Sequence, residues 1–304
     1  MTLLTKSKPL FIINPLANEK RASKKWKKVK RILDSWNIPY DVESTNSRKE
    51  AVESIRKDKK HQVIIVVGGD GGMNAVVEGA MKNNLEKILG VIPAGTANDL
   101  AKIFDIYSTP KKLPRILLEE YTREADVGVV NDNYFLAHAS IGFPSLTLQE
   151  RDKRCFLKGK LAYFAGALRA LLKYSSNRLR IKSGKNYSHR TAFLAVVSNI
   201  KYYADGMEIS PFAKPDDELL DLCLIEGKSN LGLVLRNLPL VYSGTHVKNP
   251  EVIYEQSKTF EISGLNPLLL QADGDIIGEY ENLKFSIAER KLKMLCSDFF
   301  GKGN

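Results

Sequence analysis

The sequence VVGGDGGMN at residues 66–74, followed by GVIPAGTAND at residues 90–99, decides the class of fold. Each glycine-rich stretch follows a short aliphatic run, and each precedes a segment typical of a helix. Buried strands that alternate with helices form parallel sheets, and such sheets bind ligands at the carboxyl ends of their strands. Glycine lets the backbone approach a phosphate closely, and the N-terminus of the following helix offers free N–H groups. The two stretches therefore predict a nucleotide site on two neighbouring loops.

The pattern of predicted elements divides the chain into two domains. Up to about residue 125, strands at 10–14, 39–43, 63–67 and 88–92 alternate with helices at 21–36, 47–57 and 73–83. After residue 126, one helix at 159–174 interrupts a series of short strands at 127–130, 134–139, 191–199, 219–225, 259–263, 268–272 and 283–287. The first pattern predicts an α/β nucleotide-binding domain over residues 1–126, and the second an antiparallel β-sandwich or barrel over 127–304. We expect the final residues to pack back on the first domain.

The composition is that of a globular chain with an excess of positive charge. Hydrophobic residues make up 43% and charged residues 27% of the 304 residues, and the formal net charge is +11. Neither an apolar run of 18 residues nor a signal-peptide core is present, so we expect a cytoplasmic protein. The three cysteines, Cys155, Cys223 and Cys296, are too far apart for a metal pair and are interpreted as buried thiols in a reducing compartment.

Positive charge is concentrated in two segments. Residues 20–31 hold eight lysines and arginines, with Trp26, Val29, Leu33 and Trp36 at helical spacing, which predicts an amphipathic helix. A solvated basic face and a ligand surface explain this helix equally well. The second segment, residues 151–160, contains Arg151, Lys153, Arg154, Lys158 and Lys160 beside aromatic side chains. For this segment we favour contact with phosphate or with an anionic lipid surface.

Asp70 is the unusual residue of the first loop, because it stands among four glycines. The chain contains no Walker A motif, and the spacing of the glycines does not match the Rossmann fingerprint. A carboxylate in a phosphate-binding loop repels phosphate unless a cation lies between them. Asp70 is therefore expected either to bind Mg²⁺ or to accept hydrogen bonds from backbone N–H groups.

Nine short motifs, in order along the chain, make the sequence similar to one enzyme family. They are NP at 14–15, GGDG at 68–71, PAGTANDLA at 93–101, ASIGF at 139–143, GKLAY at 159–163, VSN at 197–199, MEISP at 207–211, DD at 216–217 and DGD at 273–275. In these motifs the chain resembles the soluble bacterial diacylglycerol kinases. Sphingosine and ceramide kinases are related to that family, and NAD kinases are more distantly related. The resemblance implies an ATP- and Mg²⁺-dependent kinase that phosphorylates a hydroxyl of diacylglycerol or a related membrane lipid.

The resemblance also implies roles for individual residues. The nucleotide would contact Asn14, Gly68, Gly69, Asp70, Gly71, Gly72, Asn74, Gly95, Thr96 and Asn98. Asp70, Asp99 and Asp126 would hold the catalytic Mg²⁺, and Asp275 would be the base that accepts the proton of the lipid hydroxyl. Lys160 is the candidate for a lysine that neutralises the transferred phosphate. Asp216, Asp217 and the carbonyl of Leu219 would hold a second, structural Mg²⁺.

Four positions depart from the family pattern. Gly72 replaces a threonine, Ala75 a glutamate, Glu218 a glycine and Asp275 a glutamate. Asp275 is one methylene shorter than glutamate, so it can act as a base only if the backbone lies closer or a water bridges the gap. Two alternatives follow: a kinase for a soluble hydroxylated substrate, of which NAD kinase is the example, and a catalytically weakened lipid- or nucleotide-binding regulator.

A lipid substrate would bring the protein to a membrane. We expect reversible, peripheral binding to the anionic inner face of the membrane through residues 151–160, with the helix at 20–31 as the alternative surface. The chain shows no helix-turn-helix, zinc or RNP-like pattern, so we expect no nucleic-acid partner. A homodimer stays open, and so does the choice of lipid.

Overall fold

The computed structural model describes residues 8–15, 21–104, 110–119, 121–152, 159–227 and 231–297. The chain forms two compact units, of which the first comprises Met1–Ala125 together with Arg290–Asn304 and the second comprises Asp126–Glu289. The division therefore lies one residue before the boundary that the sequence suggests. The first unit is discontinuous because the chain returns to it at Arg290.

A mostly parallel sheet forms the centre of the first unit. Its strands are β1 (Leu10–Ile13), β2 (Asp41–Ser44), β3 (Val63–Gly68), β4 (Ile88–Pro93), β5 (Thr122–Ala125) and β15 (Leu292–Leu295). They lie in the order β2-β1-β3-β4-β15-β5, and only β5 runs antiparallel to its neighbour. Every residue of β3 is buried, which explains its continuous aliphatic sequence, because helices cover both faces of a sheet of this kind. The predicted α/β class is confirmed.

Five helices belong to the described part of this unit. They are α1 (Arg21–Ser35), α2 (Arg48–Lys57), α3 (Asp70–Lys82), α4 (Asp99–Ile103) and α5 (Leu113–Glu119). Helix α3 begins three residues earlier than the predicted start at residue 73, so the glycines of the first loop form its first turn. An acidic residue in that turn is favourable because it faces the positive end of the helix dipole, and Asp70 occupies it.

His61 lies between two aspartates just before β3. Its Nδ1 is 2.7 Å from Oδ1 of Asp58, and its Nε2 is 2.9 Å from Oδ2 of Asp41. The buried Lys87 donates from Nζ to Oδ2 of Asp58 at 2.8 Å. Burial raises the pKa of Asp58, but the hydrogen bonds from Lys87 and His61 together outweigh it, so the pKa is lowered. Hydrogen bonds from Lys60 and His61 lower the pKa of Asp41 to about 2.

The second unit is built on one antiparallel sheet. The described strands are β6 (Gly128–Val130), β7 (Asn133–Phe135), β8 (His138–Gly142), β9 (Asn177–Ser183), β10 (Asn186–Ser198), β11 (Leu220–Glu226), β12 (Val252–Ser257), β13 (Thr259–Ala272) and β14 (Asp275–Ile287). Their order is β12-β11-β10-β8-β13-β14-β6-β7, and β9 also lies between β10 and β13. Buried side chains such as Leu179, Ile181 and Phe260 form the core of this sheet. The antiparallel prediction is confirmed.

Three helices accompany this sheet in the described residues: α6 (Phe143–Asp152), α7 (Gly159–Lys173) and α8 (Leu231–Val241). Helix α7 matches the predicted helix at 159–174, whereas α6 and α8 were missed. In the part of the chain that the structure describes, no helix combines the length and hydropathy needed to span a membrane. Cys223 and Cys296 are buried, and neither forms a disulfide within the described residues; burial raises the pKa of Cys223 to about 12.

Candidate nucleotide site and active-site residues

The two glycine-rich loops touch each other through Gly69 and Gly95. A methyl group placed on Gly69 would lie 2.9 Å from Cα of Gly95, and one placed on Gly95 would come closer still to Cα of Gly69. A side chain at either position would therefore collide with backbone. The loops after β3 and β4 are packed main chain against main chain, as the shared strand-end position predicts.

Asp70 connects the same two loops through its carboxylate. Its Oδ2 accepts the backbone N–H of Asp99 at 3.1 Å, and its Oδ1 accepts that of Leu100 at 3.0 Å. These are N–H groups of the first turn of α4, so Asp70 caps that helix from the neighbouring loop. Burial raises the pKa of Asp70, and the nearby Asp99 adds to that shift. Of the two roles that the sequence allows for Asp70, the structure contains the acceptor of backbone hydrogen bonds.

Asn98 closes the second loop. Its Oδ1 accepts the N–H of Gly95 at 2.7 Å, and its Nδ2 donates to the carbonyl of Gly95 at 3.0 Å. Asn98 has a positive φ of 55°, a conformation that asparagine tolerates better than most residues. Thr96, at the tip of this loop, is exposed. The loop therefore holds its shape through its own side chain and presents Thr96 outward.

Other predicted nucleotide contacts differ in accessibility. A side chain on Gly71 would meet no atom within 4 Å, so this position opens onto free space. Asn74 is only 1% exposed within α3, so its amide does not reach the open side of the loop. Asn14 follows β1 and lines a small cavity. Lys160 is the second residue of α7, and its side chain lies outside the described part of the structure.

That cavity lies beside the first loop. It measures about 90 Å³ and is lined by Ile12, Asn14, Thr45, Ala51, Val66, Val67, Gly68, Gly69 and Gly72. Thr45, which is 4% exposed and follows β2 in the sheet, was not predicted from the sequence. Since β2 pairs in parallel with β1, Thr45 and Asn14 follow the carboxyl ends of neighbouring strands. The alternation of strands and helices indicated that Thr45 follows a strand. Placing Thr45 beside Asn14 also required knowing that β1 pairs with β2.

The predicted catalytic Mg²⁺ ligands are divided between the two units. Asp70 and Asp99 belong to the first unit and Asp126 to the second. Asp99 forms an ion pair with Lys102 at 2.8 Å, and Asp126 accepts the backbone N–H of Glu218 at 2.7 Å. Across the described ranges, no group of three or more histidine, cysteine, aspartate or glutamate side chains is arranged to hold a metal. The residues fit Mg²⁺ as an ion carried largely by nucleotide phosphates, since Mg²⁺ in kinases takes only one or two carboxylates from the protein.

The predicted second metal site is an acidic turn held by backbone hydrogen bonds. Leu219 donates its N–H to Oδ1 of Asp217 at 3.1 Å, and burial, with Asp126 and Asp216 nearby, raises the pKa of Asp217. Glu218 has a φ of 60°, in the left-handed region that favours glycine. This conformation gives a physical reason for the glycine that the family pattern has there. The metal role of Asp216, Asp217 and Leu219 stays a prediction.

Asp273 and Gly274 form the tight turn that precedes Asp275. Their φ angles are 45° and 88°, and Ala272 pairs with Asp275, as in a two-residue type I′ hairpin. The buried carboxylate of Asp273 accepts three consecutive backbone N–H groups, those of residues 136, 137 and 138, at 2.7 to 2.9 Å. Asp275 therefore stands at the first position of β14, directly after an anchored turn. The sequence motif signalled the turn but not the anchoring role of Asp273.

The predicted membrane surface lies mostly outside the described residues. Of its five cations, Arg151 is in α6, whereas residues 153–158 are not described and Lys160 is described only in its backbone. The membrane-binding role of residues 151–160 therefore stays a prediction from the sequence.

Comparisons with known proteins cover both units. The diacylglycerol kinase catalytic domain matches residues 8–130, and the YegS C-terminal NAD kinase beta sandwich-like domain matches residues 137–296. A diacylglycerol kinase of Staphylococcus aureus (strain bovine RF122 / ET3-1) is 31% identical over 222 residues, which cover 73% of this chain and 70% of that protein. A diacylglycerol kinase of Staphylococcus haemolyticus (strain JCSC1435) is 29% identical over 231 residues, covering 76% and 69% respectively.

Two solved structures share the fold. A putative diacylglycerol kinase from Bacillus anthracis str. Sterne has a TM-score of 0.77 and 19% identity, covering 96% of this chain and 97% of that chain. An NAD kinase from Archaeoglobus fulgidus in complex with ATP has a TM-score of 0.56 and 11% identity, covering 95% and 94%.

Proposed function

Because this chain belongs to the diacylglycerol kinase family and is a kinase, we propose that it phosphorylates a hydroxyl of diacylglycerol or a related membrane lipid. The γ-phosphate of ATP would be the group transferred, and the reaction would require Mg²⁺. The observation that supports this proposal most strongly is the joined pair of glycine loops, with Gly69 against Gly95 and Asp70 capping α4. Phosphoryl transfer depends mainly on positioning and charge neutralisation, and a rigid pair of loops at strand ends supplies positioning.

The small cavity beside the first loop suits the nucleoside end of ATP. Its walls include the apolar side chains of Ile12 and Val66, and Asn14 and Thr45 add polar groups that can fix orientation. The N-terminus of α3 follows directly, where unsatisfied N–H groups and the helix dipole favour phosphate. Gly71 leaves open space on this side of the loop.

Mg²⁺ would be held chiefly by the phosphates and would neutralise the charge that develops on the transferred group. Asp70 and Asp99 are the loop carboxylates of the first unit proposed for this task, since each oxygen of Asp70 accepts one backbone N–H and keeps a further lone pair. Asp99 also balances Lys102, a cation at 2.8 Å.

Asp275 is proposed as the base that accepts the proton of the lipid hydroxyl. A base must be held within hydrogen-bond reach of the hydroxyl, so its backbone needs a fixed position. The type I′ turn, anchored through Asp273, provides that fixed position at the start of β14. The lipid substrate also implies reversible contact with an anionic membrane surface, for which Arg151 and its basic neighbours in sequence stay the proposed contact.

Labelled ATP, Mg²⁺ and a panel of lipids in mixed micelles test the proposal. The panel holds diacylglycerol, monoacylglycerol, phosphatidylglycerol, ceramide and sphingosine, with NAD as a soluble competitor substrate. We expect that at least one lipid of the panel becomes labelled, and that this labelling requires Mg²⁺. Label in NAD alone would replace the lipid substrate by a soluble one, and nucleotide binding without any transfer would favour a regulator.

A further inference from the structure

Helix α1 presents four basic side chains to the second glycine loop. Arg21, Lys24, Lys25 and Lys28 are spaced i, i+3, i+4 and i+7, which places them on one face of the helix. Together with Pro93, Ala94, Gly95 and Asn98 they line an open cleft of about 340 Å³. We call this cleft the basic cleft.

The opposite face of α1 fixes the direction in which these cations point. Ala22, Val29 and Leu33 are buried against the sheet. Trp26 packs on Phe11 with ring centroids 5.0 Å apart. A helix attached by a continuous apolar face cannot rotate freely, so the basic face stays toward the loop.

The cations of the basic cleft are held close to one another. Burial lowers the pKa of Lys25, and the neighbouring charge of Lys28 lowers it further. Within the described ranges, Arg21, Lys24 and Lys28 form no ion pair with a carboxylate. Lys30 of the same helix differs, since it pairs with Asp34 at 3.8 Å. Like charges gathered in this way repel each other until an anion joins them.

The basic cleft is continuous with the loop pair of the first unit. Gly95 lines the basic cleft and touches Gly69, and Gly69 lines the small cavity on its other side. A largely apolar cavity and a cationic cleft therefore meet at one glycine contact. A ligand that spans both needs an uncharged end and a polyanionic end.

We propose that the basic cleft binds the phosphate chain of a nucleoside polyphosphate whose nucleoside end occupies the small cavity. The proposal rests on the proposed function, because it concerns the nucleotide of the same reaction. It assigns the basic face of α1 to the selection of nucleotides by phosphate number and not to a membrane. Affinity should then rise from adenosine to AMP, ADP and ATP and should fall with salt.

Two double variants of the same helix provide a matched test. Lys24→Gln with Lys28→Gln removes two charges from the basic cleft, and Lys27→Gln with Arg31→Gln removes two exposed charges outside it. Both pairs have i, i+4 spacing, and all four side chains are exposed, so folding should be equally preserved. Calorimetric titration with ATP, ADP, AMP and adenosine, with and without Mg²⁺, measures the affinities.

We expect the cleft variant to lose about tenfold or more in affinity for ATP while its affinity for adenosine changes by less than about twofold. The control pair should change ATP affinity by less than about twofold, since exposed charges contribute little. Unchanged ATP affinity in the cleft variant would overturn the cleft assignment but leave the kinase proposal standing. Equal losses for ATP and adenosine would also overturn it.

A wild-type chain that binds no ATP would overturn both proposals. Co-sedimentation with vesicles of phosphatidylcholine and phosphatidylglycerol separates a lipid headgroup from a nucleotide as the source of phosphate. Loss of vesicle binding in the cleft variant, with ATP affinity retained, would assign the cleft to lipid instead and so contradict the inference.

Discussion

The carboxylate of Asp70 accepts a hydrogen bond from the backbone N–H of Asp99, 29 positions further along the chain, at 3.1 Å. The acid that the sequence predicts as a Mg²⁺ ligand also caps a neighbouring helix. The bond connects the two glycine-rich loops, since Asp70 begins α3 and Asp99 begins α4.

Asp70→Ala should lower the free energy of unfolding by about 1–3 kcal/mol, because two buried N–H groups lose their acceptor. Asp70→Asn keeps one acceptor oxygen. The raised pKa means that the ionised carboxylate is disfavoured in the folded state, so removing the charge at neutral pH offsets the lost bond. We therefore expect Asp70→Asn to stay within about 1 kcal/mol of wild type. Urea denaturation measures both variants, and equal losses would contradict the capping role.

Asp58→Asn should remove part of the acid sensitivity of the first unit. The folded-state pKa of Asp58 is lowered, so its stabilising effect is present above the unfolded pKa of about 3.9 and is lost as the pH falls below it. Asp41, with a pKa of about 2, acts in the same direction. Tm measured from pH 7 to pH 2 should therefore fall less steeply below pH 4 in the variant.

The exposed Asp132→Asn variant is the control for this pH series, and its profile should follow the wild-type curve. Parallel curves for all three proteins would show that the network of Asp58, His61 and Lys87 does not govern acid stability.

Glu218→Gly should stabilise the second unit. Glu218 has a φ of 60°, and a residue with Cβ pays about 1 kcal/mol or more there. Part of the gain is offset because glycine is more flexible in the unfolded chain, so the expected increase is a few tenths to about 1 kcal/mol. Glu279→Gly, in strand β14, should instead destabilise by about 0.5–1 kcal/mol. Chemical denaturation of the two variants should give opposite signs.

Asp273→Ala should be among the most destabilising single substitutions in the second unit. It leaves three consecutive backbone N–H groups without their carboxylate acceptor, which should cost about 3–5 kcal/mol. Asp273→Asn should lose less, because one oxygen remains. Thermal unfolding of the two variants measures this ranking, and wild-type stability in Asp273→Ala would disprove the anchoring role.

Asp275→Asn should lower kcat by about 10²-fold or more while folding and ATP affinity stay near wild type. Asp275→Glu tests the same residue in the opposite direction, because it restores the length of the glutamate in the family pattern and should retain or raise kcat. Steady-state kinetics on the labelled lipid provide the measurement. An Asp275→Asn variant with most of its activity would place the base elsewhere.

The elements with continuous or regular hydropathy could be predicted from sequence. β3, with six buried residues, and α1, with a clear apolar face, lie where their patterns place them. Trp36 was wrongly assigned to that face, because α1 ends at Ser35 and Trp36 is 55% exposed. Strand β9 was not predicted, although its buried Leu179 and Ile181 alternate with basic residues. Two apolar residues among so many charges are a weak signal for a strand. Helix α8 was missed because Pro239 interrupts a short apolar run.

The site could be predicted only as far as local pattern reaches. The strand-end glycines identified the two loops, yet the contact of Gly69 with Gly95 depends on how β3 and β4 pair. The hydrogen bonds of Asp70 depend on the position of a helix that begins 29 residues further along the chain, and its role toward Mg²⁺ stays a prediction. The basic face of α1 was visible as a pattern, but only the fold brings it to the second loop.

The last described strand, β15, lies between β4 and β5 in the first sheet. During synthesis on the ribosome, β4 therefore emerges some two hundred residues before the neighbour with which it pairs at Ile88 and Leu89. The second unit, whose residues end at Glu289, is complete before Leu292 leaves the exit tunnel. The first unit therefore begins to be synthesised first but is completed last. A nascent chain must keep the edge of β4 from pairing wrongly until β15 emerges.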